Sequence, residues 1–243
     1  MKIGILGAAG RMGKMISREI QSGHYKASVG AEVDVGGDKE AAFKSCDVLI
    51  DFTSPEACVD HAALASQYQK PLVVGTTGLD AVGEAALLAA SKKTAVFYTA
   101  NMSVGVNLLL SLVEQAAARL GNEFDIEIFE AHHRHKVDAP SGTALALGRA
   151  AAAGRGIKLE DAMIPARFGN TGARIPGSIG MSVFRGGDVV GEHTVTFAGA
   201  GEGIELTHKA TDRAIFAKGA VKAALWLQGK PAGLYSMRDV LGL

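Results

Sequence analysis

Cysteine is nearly missing from this chain. Cys46 and Cys58 are its only two, and neither their spacing nor their context suggests a disulfide framework or a zinc site. A reducing cytoplasm fits that usage. Charge of one sign is missing too: 25 basic and 25 acidic residues give a formal net charge of zero. Nothing therefore points to a polyanion such as nucleic acid, and a membrane-surface role has no basic patch to rest on. No apolar run approaches the length of a membrane span. The opening residues Met1–Gly7 resemble a secretion signal only superficially, because the run is short and glycines follow at once. No internal repeat or low-complexity tract is present. These absences leave a soluble globular cytoplasmic protein, long enough at 243 residues for one large domain or two modest ones.

Glycine, in contrast, is abundant at 31 residues, and its placement carries information. Through the first hundred residues short apolar runs alternate with helical patterns. Strands are predicted at 2–6, 27–31, 47–51, 71–74 and 95–98, with helices at 11–21, 55–69 and 80–91. This order reads as a parallel sheet with helices on both faces, and the continuous apolar run Val48-Leu49-Ile50 suits a sheet buried on both sides. The pattern changes after Asn101. A long helix is predicted at 104–120, then strands at 125–131, 179–184, 189–197 and 203–208, with one clear helix among them at 142–153. That is α+β grammar and predicts a second domain on a mixed or antiparallel sheet. The glycine-rich stretch 168–180, with Arg167 and Arg174, reads as a long mobile loop. A final helix is predicted at 213–227.

Gly7-Ala8-Ala9-Gly10-Arg11-Met12-Gly13 follows the first strand and opens the first helix. Glycines there let the backbone turn tightly and approach a pyrophosphate, whose charge a helix N-terminus favours. The spacing is GxxGxxG rather than GxGxxG, so position carries the argument more than the motif. A plain glycine-rich turn is the alternative. Glu32 ends the second predicted strand, where an acid accepts hydrogen bonds from ribose hydroxyls; a merely solvent-exposed acid is the alternative. Glu32 and Asp34 would repel a 2′-phosphate, Val33 supplies no cation, and Arg11 compensates only in part. The expectation is a preference for NADH that leaves NADPH open. Asp51-Phe52-Thr53 and Gly75-Thr76-Thr77-Gly78 sit at strand carboxyl ends, where open α/β sheets bind ligands. Helix capping, as by Ser54 before Pro55, explains such residues equally well for Thr53.

The segment Glu130–Thr143 concentrates His132, His133 and His135 with Arg134 and Lys136, between a strand and a helix. Histidines donate protons near neutral pH, and the two cations hold or polarise an anion. Ser141-Gly142-Thr143 presents amides and hydroxyls at a helix start, a carboxylate site. A metal centre is disfavoured, because residues 132, 133 and 135 alternate faces on a strand and two cations stand beside them. A solvated basic loop is at odds with the apolar, glycine-bearing flanks.

Together these motifs resemble the dihydrodipicolinate reductase family, also called 4-hydroxy-tetrahydrodipicolinate reductases, of lysine and diaminopimelate biosynthesis. The resemblance spans nearly the whole chain and includes Asn101–Asn107, Arg185–Asp188, Gly191–His193 and Phe216–Ala220. Its most specific part is the His-Lys segment followed by Ala139-Pro140-Ser141-Gly142-Thr143. It implies a Rossmann-like domain over 1–103 completed by 213–243, and a substrate-binding and oligomerisation domain over 104–212 that assembles a homotetramer. It implies catalysis by His132 and Lys136, and substrate contacts from His133, Gly142 and Thr143. Cofactor contacts would come from Gly7, Ala8, Ala9, Gly10, Arg11 and Met12, from Glu32, from Gly75, Thr76 and Thr77, and from Thr99, Ala100, Asn101 and Met102. The implied reaction is NAD(P)H-dependent reduction of a cyclic imine dicarboxylate, with domain closure excluding water. Three departures stand out: Val33 where many members carry a basic residue, Gly203 where an arginine is common, and Met102 in place of a frequent aromatic. Two other readings stay open on fold alone: another Rossmann-type reductase such as homoserine or aspartate dehydrogenase, and a non-catalytic nicotinamide-binding sensor.

Overall fold

The computed structural model describes all 243 residues. In chain order the elements are β1 (Lys2–Leu6), α1 (Arg11–Gln21), β2 (Ser28–Val33), α2 (Lys39–Ser45), β3 (Val48–Asp51), α3 (Pro55–Tyr68), β4 (Leu72–Val74), α4 (Ala81–Ser91), β5 (Ala95–Tyr98) and α5 (Val104–Leu120). They continue as β6 (Asp125–His132), α6 (Gly142–Gly154), α7 (Leu159–Ala162), β7 (Met163–Ile164), β8 (Ile179–Arg185), β9 (Gly191–Ala198), β10 (Gly203–Ala210), α8 (Ala214–Trp226), β11 (Gly233–Tyr235) and α9 (Met237–Leu241). They form two compact units: Met1–Val104 with Ala214–Leu243, and Gly105–Arg213.

The first unit is a six-stranded sheet in the order β11-β5-β4-β3-β1-β2, with every pairing parallel. The strand order reverses between β1 and β3, and that switch point leaves a crevice at their carboxyl ends. The four residues of β3 are all buried, as a strand covered on both faces requires. Local chemistry sets the helix starts. Asp38 accepts from the amide of Ala41, Ser54 from that of Ala57 with Pro55 in the first turn, and Asp80 from those of Val82 and Gly83. The short α2 escaped the sequence reading because seven residues with only Ala42 and Phe43 buried give no measurable period. The sequence predicts no element beyond residue 227, yet the chain end adds β11 to the sheet beside β5.

The second unit is a five-stranded mixed sheet, β10-β9-β6-β8-β7. β6 runs antiparallel to β9 and parallel to β8. Helices α5 and α6 cover one face, with Val113, Ala117, Leu147 and Ala151 packed on Ile126, Ile128, Val195 and Phe197. The stretch between α7 and β8 is tethered rather than free. Arg167 pairs with Glu127 at 2.8 Å, and Arg174 binds Glu127, Asp125 and the carbonyls of Ile126 and Ser178.

One close approach fixes how α8 seats in the first unit. A Cβ added at Gly219 would fall 1.8 Å from the carbonyl oxygen of Met102, which is backbone and cannot yield. Gly219→Ala is expected to lose about 1–3 kcal/mol through overpacking, lowering the thermal midpoint by several degrees. An unchanged midpoint would contradict this packing.

Candidate active site

In the second unit, side chains on one face of the sheet form rows across β8, β6 and β9. Ile126 lies between Ile179 and Phe197, and Ile128 between Met181 and Val195. Two residues on, the same face carries Glu130 opposite His193, then His132 opposite Arg185. The strand's period of two thus leads straight from apolar core to polar site. The same register continued by one residue sets Gly191 against His132, and a Cβ at Gly191 would stand 3.1 Å from His132 Nε2.

Glu130 is 1% exposed. Its Oε1 accepts from the Ser141 amide at 2.9 Å and from Arg185 Nη2 at 2.8 Å. Its Oε2 is in direct contact with His132 Nδ1. Burial alone would raise the Glu130 pKa, but Arg185, the Ser141 amide and His132 outweigh it and hold the carboxyl below its ordinary value. His132 is shifted the other way. Burial lowers its pKa and Lys136 and Arg185 add to that, against the opposing pull of Glu130. An ionised carboxylate only accepts, so contact with Oε2 favours a proton on Nδ1 of His132 and leaves Nε2 facing Gly191.

His193 stands edge-on to His132, with ring centroids 5.1 Å apart. Burial, followed by the neighbouring His132, lowers its pKa to about 4. Its Nε2 lies 3.1 Å from Ser141 Oγ, which also accepts from the Ala144 amide as the cap of α6. No acidic side chain occupies the first turn of α6, Gly142 is exposed, and a Cβ there would meet nothing. Gly142 and Thr143 therefore open a helix N-terminus beside the histidines, fit for a carboxylate.

The three histidines read from the sequence do not converge. β6 ends at His132, and the chain turns as the Lys136 amide donates to the His133 carbonyl. His133 accepts at Nε2 from Arg213 at 3.3 Å. With Arg134, His135, Gly187 and Asp188 this pair lines a cleft of about 690 Å³. Lys136 is bound by Asp138, with Nζ 2.7 Å from Oδ1. The ligand-type atoms that do converge, from Glu130, His132 and His193, lie within 4.8 Å of one another, but the Arg185 cation sits on the same carboxylate. The sequence reading assigned no role to Glu130, His193, Arg185 or Gly191. Alternation through His193-Thr194-Val195-Thr196-Phe197 was the available signal, because it puts His193 in phase with two core residues.

In the first unit the glycine loop has the shape expected of a phosphate cradle. Gly7 has φ +84° and its amide donates to the Val33 carbonyl, while a Cβ at Gly13 would fall 2.2 Å from the Gly7 carbonyl oxygen. Helix α1 starts at Gly10 with no side-chain cap and no acid in its first turn, so its amides remain available to an anion. Ala8 and Ala9 lie in the turn, Arg11 is exposed, and Met12 packs on the core.

The acid that meets this loop is Asp34, two residues beyond Glu32. Asp34 Oδ2 accepts from the Ala9 amide at 2.7 Å, and its pKa is lowered, first by the Val35 amide and then by that of Ala9. Glu32 instead takes the Ser17 hydroxyl of α1 at 2.6 Å. Val33 is 7% exposed and packs in the core, so its lack of charge is a packing requirement; the residue following the loop-facing acid is Val35, fully exposed. A cleft of about 450 Å³ at the switch point is lined by Gly7, Gly10, Asp34, Val35, Phe52 and Thr53, among others. At the other strand ends, Gly75 packs against the Phe52 ring, Thr76 is buried and Thr77 is exposed. Thr99 Oγ1 donates to the Asn101 carbonyl, and the Asn101 side chain accepts from the Ser103 amide. Ala100 is exposed, whereas Met102 is 2% exposed, belongs to the core, and has its carbonyl against Gly219. Gly203 opens β10, and nothing in its surroundings explains the missing arginine.

Comparison with known proteins gives these two sites a common context. Residues 1–102 match the family described as dihydrodipicolinate reductase, N-terminus, and residues 105–241 match dihydrodipicolinate reductase, C-terminus. The 4-hydroxy-tetrahydrodipicolinate reductase of Zymomonas mobilis is 52% identical over 248 residues, covering 100% of this chain and 98% of the relative. That of Cupriavidus metallidurans is 47% identical, with 100% of both chains covered. The dipicolinate-bound dihydrodipicolinate reductase of Paenisporosarcina sp. TG-14 shares the fold with a TM-score of 0.77 at 22% identity, covering 98% of each chain. The chain belongs to the dihydrodipicolinate reductase family and is a nicotinamide-dependent oxidoreductase.

Proposed function

We propose that the chain reduces 4-hydroxy-tetrahydrodipicolinate, or the dihydrodipicolinate it yields on dehydration, to tetrahydrodipicolinate with His132 and Lys136 as its catalytic residues. The observation that carries this assignment is the Glu130–His132 pair set beside the N-terminus of α6. The first unit acts as the dinucleotide-binding domain and the second as the substrate-binding domain. The loop Gly7–Met12, Asp34, and the strand ends at Gly75–Thr77 and Thr99–Met102 would hold the coenzyme, which supplies a hydride.

Gly142 and Thr143 grip one substrate carboxylate, and His133 with its cationic neighbours Arg134 and Arg213 favours a second negative charge. Reduction of the conjugated imine leaves electron density that must take a proton. His132 delivers it from Nε2, with Nδ1 anchored on Glu130. Lys136, steadied by Asp138, stabilises developing charge and is the second proton source. His132 is biased toward its neutral form in the resting protein, and a dianionic substrate opposes that bias by favouring the imidazolium.

NADH is the preferred coenzyme on this reading. Asp34 offers its carboxylate to ribose hydroxyls and Val35 after it carries no charge; a 2′-phosphate would meet that carboxylate, which Lys14 and the cleft-lining Lys39 offset only in part. Assembly into a homotetramer is supported by the second unit's other sheet face, where Phe129 and Phe184 are 43% and 48% exposed and no helix covers them. Cytoplasmic residence fits two free, buried cysteines, and no helix is long and apolar enough to cross a membrane.

In an assay coupled to dihydrodipicolinate synthase and its substrates, the chain is expected to consume NADH. His132→Gln and Lys136→Ala should each lower kcat by roughly a hundredfold. Near-normal turnover in both would remove these roles, and cofactor binding without turnover would favour the sensor reading. The required form of His132 is protonated, so kcat/KM should fall as pH rises through a pKa below the ordinary histidine value, and His132→Gln should abolish that limb. A limb unchanged by the substitution would assign it to another group. Parallel assays should give higher kcat/KM with NADH than with NADPH, and Val35→Arg should raise NADPH use about tenfold. Equal or better efficiency of the parent chain with NADPH contradicts the preference. Light scattering on the eluted protein should give about four times the 25.1 kDa chain mass; a monomer contradicts the assembly.

A further inference from the structure

A second buried carboxylate lies in the first unit, outside the proton-transfer chemistry. Asp51 ends β3 at 0% exposure. Its Oδ1 accepts from the Thr53 amide at 3.0 Å, the Thr53 hydroxyl at 2.7 Å and the Thr76 hydroxyl at 2.8 Å. Thr76 Oγ1 in turn accepts from the Thr53 amide at 2.9 Å. Oδ2 faces Nδ1 of His61, 3% exposed on α3, at 2.7 Å. Every donor to Oδ1 thus belongs to a loop at the carboxyl end of β3 or β4, and α3 supplies the cation-capable partner from behind.

Fold stability gives no reason for an acid here. The rest of β3 is Val-Leu-Ile, and replacing a buried charged pair by packed apolar residues is commonly neutral or stabilising. What the carboxylate achieves is order between two loops. Without it, the two threonine hydroxyls and the histidine would each lose their acceptor, and the Thr53 amide would keep only Thr76 Oγ1. The loops are also in hard contact, since a Cβ at Gly75 would fall 2.2 Å from the Phe52 ring, so a shift in one moves the other. Both flank the switch-point crevice, and Thr53 and His61 line its cleft. The nearby Cys58 adds no reactivity: burial, then the charge of Asp51 and a hydrogen bond to it, raise its pKa to about 12.

We propose that Asp51 and His61 are positioning residues for the coenzyme, locking Phe52–Thr53 and Gly75–Thr76 in the shape that receives it. This rests on the reading that these loops hold the coenzyme. Neither residue touches the reacting atoms; they act through Thr53 and Thr76.

The test measures NADH affinity by fluorescence titration of purified parent chain, His61→Leu, His61→Asn and Thr76→Val, alongside thermal unfolding and dipicolinate binding by calorimetry. His61→Leu and Thr76→Val should raise the NADH Kd about tenfold, the scale of one lost charge-assisted hydrogen bond, with dipicolinate affinity unchanged. His61→Asn, whose amide can donate to Asp51, should recover most of that loss. Lower unfolding midpoints with an unchanged NADH Kd would make the pair purely structural and overturn the proposal. A parent chain that binds dipicolinate but not NADH overturns the coenzyme reading itself. A parent that binds NADH, with its Kd raised by Asp34→Ala but by none of the His61 or Thr76 variants, overturns only the positioning role.

Discussion

A carboxylate with almost no solvent contact must be neutralised or fully hydrogen-bonded, and Glu130 meets that demand with three partners from three places in the chain. One is His132 on its own strand, one is Arg185 on the neighbouring strand, and one is the amide of Ser141 before α6. The proton-transfer atom, the sheet and the anion-binding helix terminus are thereby referred to a single point. Removing that carboxylate would leave Arg185 and the Ser141 amide without their common acceptor and would free His132 to choose either tautomer. His193 closes the arrangement from β9 through Ser141 Oγ, and Gly191 leaves room at Nε2.

The first unit repeats the device with other residues. Asp51 collects donors from two loops and a helix at the end of β3, and Asp34 collects the Ala9 amide and its neighbour at the end of β2. In both units an acid near the carboxyl end of a strand, Glu130 in β6, Asp51 ending β3 and Asp34 just past β2, organises the loops beside it. The strands set where the acid stands, and the acid sets the shape of the site.

Much of this was legible in the sequence. The alternation of strands and helices to residue 100, the long α5 and the mixed second sheet followed from apolar periodicity, and the glycine loop from its position after β1. The histidine-lysine segment and the Ser141–Thr143 turn identified the chemistry because their residue types serve it. Three things were missed for physical reasons. The sequence points to Glu32 as the ribose acid; Asp34, just past the end of β2, takes the Ala9 amide, which only the turn geometry reveals, while Glu32 lines the same pocket as Ala8, Ala9 and Asp34. Val33 was read as an absent cation when its side chain is core. Partners of Glu130 come from 11 and 55 residues away, through sheet register that one sequence does not reveal.

The account turns on Glu130 fixing the state of His132, and imidazole nitrogen chemical shifts report that state directly. In protein labelled with ¹⁵N-histidine, with His132 assigned by loss of its signals in His132→Gln, the neutral ring should carry its proton on Nδ1 and show a bare Nε2. In Glu130→Gln that preference should be lost. A neutral His132 protonated on Nε2 in the parent chain, or a tautomer unchanged by Glu130→Gln, would contradict the central claim.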